Sequence, residues 1–140
     1  MPNLGADVQR GWVSGLSVPP IRRATAVNGS GVNFTEAEGP VSAILQVGQL
    51  SNTTLSLVLS MEESTNDNTA DASGAADAYA ALSPAATVTV TEPGIENTST
   101  TLTTFNRSKK YVRAVVTPTG TAGLTNNLYG VSLHSPSKSY

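Results

Sequence analysis

The sequence predicts an all-β protein: an antiparallel β-sandwich of about seven or eight strands, Ig-like or jelly-roll-like, with an extended N-terminal arm. Three observations carry this. Short apolar runs alternate with period two, turn residues punctuate them at sandwich-like spacing, and the composition favours strand over helix. Ser, Thr and Asn account for 44 of the 140 residues, while only 13% are charged. Threonine suits a half-buried pleated surface, and the chain is poor in the Glu, Lys and Arg that fill exposed helix faces.

The elements follow in order. Residues 1–20 hold Gly5, Gly11, Gly15 and the Pro19–Pro20 pair with no sustained period, and they read as an arm ahead of a domain spanning 21–140. The arm carries Trp12, Val13 and Leu16, apolar side chains that need a partner. Two readings stand: the arm packs back on its own domain, or it docks on a neighbouring subunit.

Val41, Ala43, Leu45 and Val47 share one side of a strand, interrupted on the other side by Ile44, and Leu55, Leu57, Leu59 and Met61 share one face of the next. Gly48 through Thr53 connects them, which predicts a hairpin. Further strands are expected at Thr87 to Thr91, Ser99 to Phe105, Tyr111 to Thr117 and Leu128 to His134. The alanine-rich stretch from Asn68 to Leu82 is open to two drawings. One is a short helix, and the other is a long hairpin excursion returning through Ala78 to Leu82.

Chemistry-bearing residues are sparse. There is no cysteine, which excludes disulfides, thiolate metal sites and a cysteine nucleophile. The single histidine, His134, falls on the strand face opposite Tyr129, Val131 and Leu133, and reads as a surface residue rather than a catalytic base. Glu62, Glu63, Asp67, Asp71 and Asp77 gather in one segment. Their spacing does not match the twelve-residue calcium loop, and a solvated loop is the plainer reading. No catalytic residue, cofactor or metal site is predicted, so the expectation is a protein that is not an enzyme.

Arg107, Lys109, Lys110 and Arg113 form a basic cluster beside Tyr111. With a net charge of -2 there is no global field to hold nucleic acid, so the cluster is assigned to a protein contact. The first twenty residues contain neither a secretory h-region nor a membrane span. A soluble product synthesised in the cytoplasm, with no membrane partner, is expected.

Three stretches then matter together: Val41 to Gly48 (VSAILQVG), Leu55 to Asp67 (LSLVLSMEESTND), and Phe105 to Gly120 (FNRSKKYVRAVVTPTG). Their order resembles that of the tailed-phage capsid decoration, or cement, proteins, small structural proteins of the virion, over roughly residues 41 to 133. The alanine-rich insert departs from that pattern. The resemblance implies a bacteriophage protein present in many copies on the capsid surface, which binds the outer face of the major capsid protein shell and reinforces it by bridging neighbouring subunits. Trp12, Val13, Leu16, Arg107, Lys109, Lys110 and Arg113 are the expected contact residues, and self-association into a homo-oligomer is compatible. The rival reading is a tail- or fibre-associated β-sandwich module that binds host-surface carbohydrate, with Tyr79 as an aromatic platform.

Overall fold

Alternating apolar residues produce strands with one buried face, and two such faces pressed together make the core. The computed structural model describes residues 11–50, 55–65, 78–120 and 127–138. Its strands are β1 (Trp12–Arg23), β2 (Val27–Asn28), β3 (Val32–Asn33), β4 (Val41–Val47), β5 (Ser56–Ser64), β6 (Ala80–Ala81), β7 (Thr87–Thr91), β8 (Thr98–Phe105), β9 (Tyr111–Thr119) and β10 (Asn127–Pro136). One sheet has the order β1-β10-β4-β8, and the other runs β2-β9-β5-β6, with β3 also on β9 and β7 also on β5. All pairings are antiparallel.

The connectivity decides between the two sandwich types. β2 and β3 both lie along β9, and β6 and β7 both lie along β5, so each pair is one interrupted strand. Among the described residues eight segments result, ordered first–eighth–third–sixth in one sheet and second–seventh–fourth–fifth in the other. Apart from the link from β5 to the β6–β7 segment, every connection between segments crosses from sheet to sheet. This is jelly-roll connectivity, whereas an Ig-like sandwich joins several neighbours within a sheet.

The expected hairpin of Val41–Val47 with Leu55–Met61 is therefore corrected: β4 and β5 belong to opposite sheets. Each carries a complete apolar row, with Val41, Ala43, Leu45 and Val47 buried on β4 and Leu57, Leu59 and Met61 buried on β5. Two such rows bury more surface facing each other across a core than lying side by side in one sheet. The link after β4 is tied to the sandwich end, with Gly48 N–H donating to the Leu128 carbonyl (2.8 Å) and Leu50 N–H to the Glu96 carboxylate (2.7 Å).

From Trp12 onward the expected arm is strand β1, the edge of the first sheet, and the boundary drawn after Pro20 falls inside that strand. The backbone of residues 12–20 pairs with β10 of its own domain, while Trp12 and Leu16 remain exposed. Residues 1–10 lie outside the described residues. β1 escaped the period-two reading because its register on β10 shifts twice, between Leu16 and Val18 and between Val18 and Ile21. Each shift resets the alternation, so Ser17 and Val18 are both fully buried though adjacent. Gly130, opposite this bulge, is closely approached by β1: a Cβ there would lie 3.0 Å from the Val18 carbonyl oxygen.

Ser17 also joins the two sheets. Its hydroxyl donates to the Ser30 carbonyl (2.8 Å) and accepts from Ala114 N–H on β9 (2.9 Å). Gly29 lies against it, where a Cβ would fall on Ser17 Oγ. Of the stretch from Asn68 to Leu82, residues 68–77 lie outside the described residues. Ala80 and Ala81 pair with Glu63 and Glu62 of β5, as the return leg of an excursion requires.

Candidate binding face

The outer face of the first sheet is assembled by register alone. Leu16 of β1 lies opposite Ser132 of β10, which lies opposite Ile44 of β4; Ser14, His134 and Ser42 form the next row, and Trp12 lies opposite Pro136. Directly opposed residues in antiparallel strands share a face, so this side of the sheet collects Trp12, Leu16 and Ile44 around three serines and a histidine. Trp12 is 58% exposed and Leu16 54%. Trp12, Ser42, Ile44 and His134 line an open depression of about 390 Å³. His134 Nε2 lies 3.0 Å from Ser132 Oγ. Exposed large apolar side chains around a concavity are the usual form of a protein contact surface.

The sequence-predicted contact residues separate into two groups that do not meet. Trp12 and Leu16 lie on this face, while Val13 turns inward and packs against the core. The basic cluster belongs to β9 and the loop before it, in the other sheet, and two of its members are engaged within the fold. Arg107 donates from Nη2 to the carbonyls of Phe34 (2.8 Å) and Ala37 (2.9 Å) and from Nη1 to that of Lys109 (3.1 Å), with its guanidinium 5.8 Å from the Phe34 ring centre. Burial lowers its pKa from the ordinary arginine value, against the opposing charge of Glu63. Arg113 pairs with the Glu62 carboxylate (2.6 Å) and stacks at 4.2 Å from the centre of the Tyr79 ring. Tyr79 is thus occupied by Arg113, which detracts from its use as a sugar platform. The Lys110 ammonium lies 5.3 Å from the Tyr111 ring centre.

Glu63 explains why the loop before β9 holds its shape. Its carboxylate accepts from Ser108 N–H (2.7 Å), Ser108 Oγ–H (2.5 Å) and Lys109 N–H (3.0 Å). Burial works to raise its pKa, but these hydrogen bonds and the Lys109 charge outweigh it and hold the carboxyl below its ordinary value. Tyr129 shows the opposite balance. Burial raises its phenol pKa despite Arg23, and its hydroxyl donates to the Thr25 carbonyl (3.1 Å). Among the described residues no group of three or more acidic, histidine or cysteine side chains is placed to hold a metal. Asp67, Asp71 and Asp77 lie outside the described residues.

No protein-family model matches the chain, and no curated protein matches it. Among solved structures, the crystal structure of PirA is similar in outline, with 11% sequence identity and a TM-score of 0.37, covering 89% of this chain and 92% of that one. A likeness that weak bears on neither function nor site.

Sequence reasoning missed Ser42 and Ile44 as members of this face and placed His134 only as a surface residue. The signal was present in Ile44, an apolar side chain in the polar phase of its strand. Its partners across the sheet are set by register, which the sequence does not display.

Proposed function

We propose that this chain is a structural virion protein that decorates the outer surface of a tailed-phage capsid, binding the shell of major capsid protein and bridging its neighbouring subunits. The observation that carries this reading is the exposed Trp12–Leu16–Ile44 face, supported by the resemblance over residues 41 to 133. Reinforcement is then a linkage effect. A protein bound across a subunit boundary must be released before the subunits part, so its binding free energy adds to theirs. On this reading the protein acts without catalysis, on the virion surface.

One observation favours the carbohydrate-binding alternative: the exposed Trp12 indole lies beside Ser42 and His134, which can hydrogen-bond a sugar hydroxyl. Copy number separates the two. Gel densitometry of intact particles of the virus that carries this coding sequence is expected to show hundreds of copies per capsid. A few tens or fewer would refute decoration and leave a tail or fibre module.

A further inference from the structure

We propose that β7 is a self-complementary edge through which two copies of this chain pair into a symmetric dimer. Among the described residues β7 pairs with β5 alone. The register runs from Ser56 opposite Thr91 to Ser60 opposite Thr87, without a bulge. At its two ends Glu92 N–H donates to the Leu55 carbonyl (2.9 Å) and Met61 N–H to that of Ala86 (3.1 Å). Alternate residues of an antiparallel strand bond the same neighbour, so Val88 and Val90 share that phase. Thr87, Thr89 and Thr91 therefore turn their backbone N–H and C=O groups to the other edge. The valines pack against the core and the threonines are exposed.

The occupant is read from the strand itself. Thr87 to Thr91 is Thr-Val-Thr-Val-Thr, the same in both directions. A two-fold axis through Thr89 sets Thr89 against its own counterpart, Thr87 against Thr91, and Val88 against Val90. Every residue then meets its own kind on its own face, and the three outward-facing threonines exchange about six backbone hydrogen bonds with the second copy. Threonine–threonine pairs are favourable cross-strand neighbours.

β7 also lacks the devices that keep an edge from pairing. It has no charge, no proline and no bulge, and the carboxylate of adjacent Glu92 is engaged by Gly94 N–H (2.6 Å) and Ile95 N–H (3.2 Å). β1, the edge at the opposite side of the sandwich, has two register shifts, Pro19–Pro20, and a backbone bond from Ser30 N–H to the Ser17 carbonyl. The inference is independent of the capsid reading.

Sedimentation velocity of the intact chain tests it. The wild type is expected to sediment as a dimer. Thr89→Pro removes an N–H that β5 does not use, and Thr89→Lys sets like charges against each other on the axis. Each is expected to raise the dissociation constant at least about tenfold, with the β circular dichroism signal unchanged. A wild-type monomer at about 100 µM overturns the proposal, as does a dimer that both substitutions leave intact. If Thr89→Pro fails to fold, Thr89→Lys stands together with a spin label on Thr89→Cys, the only thiol in the chain. A label-to-label distance under about 20 Å supports pairing at β7, and a longer one overturns it.

Discussion

Replacing Arg107 by alanine asks whether the basic cluster serves the fold or a partner. The guanidinium donates to three backbone carbonyls, two of them on Phe34 and Ala37, residues that are themselves buried. Hydrogen bonds from a charged donor contribute about 1.5–3 kcal/mol each, and the contact with Phe34 about 0.5–1 kcal/mol more. These terms do not add in full, because water enters the vacated space and recovers part of the carbonyl bonding. A loss of about 3–5 kcal/mol is the expected net, a large share of the ~5–15 kcal/mol that stabilises a domain. Urea unfolding followed by circular dichroism measures it, and thermal unfolding is expected to show a fall in melting temperature of about 10–20 °C. Arg107→Lys retains the charge but cannot span three carbonyls, and is expected to fall between. Lys110→Ala, at an exposed site, is expected to change stability by less than about 0.5 kcal/mol. A loss below about 1 kcal/mol for Arg107→Ala, with partner binding abolished instead, would show that Arg107 is a contact residue and that its place in the fold has been misread.

The Glu63 carboxyl is held below its ordinary pKa, so its contribution is complete above the unfolded value of about 4.3 and is lost as pH falls through the folded one. Glu63→Gln is expected to cost about 1–3 kcal/mol at pH 7 and progressively less below pH 4; a gap that stays constant with pH contradicts this. Ser17→Ala leaves the Ala114 N–H without its hydroxyl partner inside the sandwich and is expected to cost about 1–3 kcal/mol, measured by thermal melting. Gly29→Ala forces a Cβ onto Ser17 Oγ and is expected to cost at least as much as Ser17→Ala; a neutral result for either would remove Ser17 as the link between sheets.

The strands legible in the sequence were those whose alternation is unbroken. Val41–Val47 and Thr87–Thr91 coincide with β4 and β7, and the apolar residues that the alternation selects on β5 (Leu57, Leu59, Met61) and β10 (Tyr129, Val131, Leu133) are buried. β1 was hidden by its bulges, which fold two phase changes and a Pro–Pro pair into one strand. Pairing partners were hidden too. The β4 and β5 runs look like a hairpin locally, and their separation into two sheets follows from how a whole set of apolar faces closes around one core. The engagement of Arg107 and Arg113 within the fold was hidden for a related reason: charge is visible in sequence, but the carbonyls and carboxylates that meet it come from distant segments, such as Phe34 to Ala37 and Glu62.

The placement of β1 also changes how the capsid proposal is tested. Deleting residues 1–20 would remove Ser17 and Val18 from the core, so lost binding after that deletion would report only an unfolded domain. Trp12→Ala is the sharper perturbation, because the indole is 58% exposed and its removal leaves the sandwich intact. Burying the exposed part of the ring, about 100–140 Å², is worth about 3 kcal/mol. The most direct measurement is therefore the binding of wild-type and Trp12→Ala protein to purified capsid shells that lack it. Saturable binding by the wild type is expected, with affinity weakened about 100-fold by the substitution and an unchanged melting temperature. Wild-type protein that does not bind such shells, or a Trp12→Ala variant that binds them as tightly as the wild type, would contradict it.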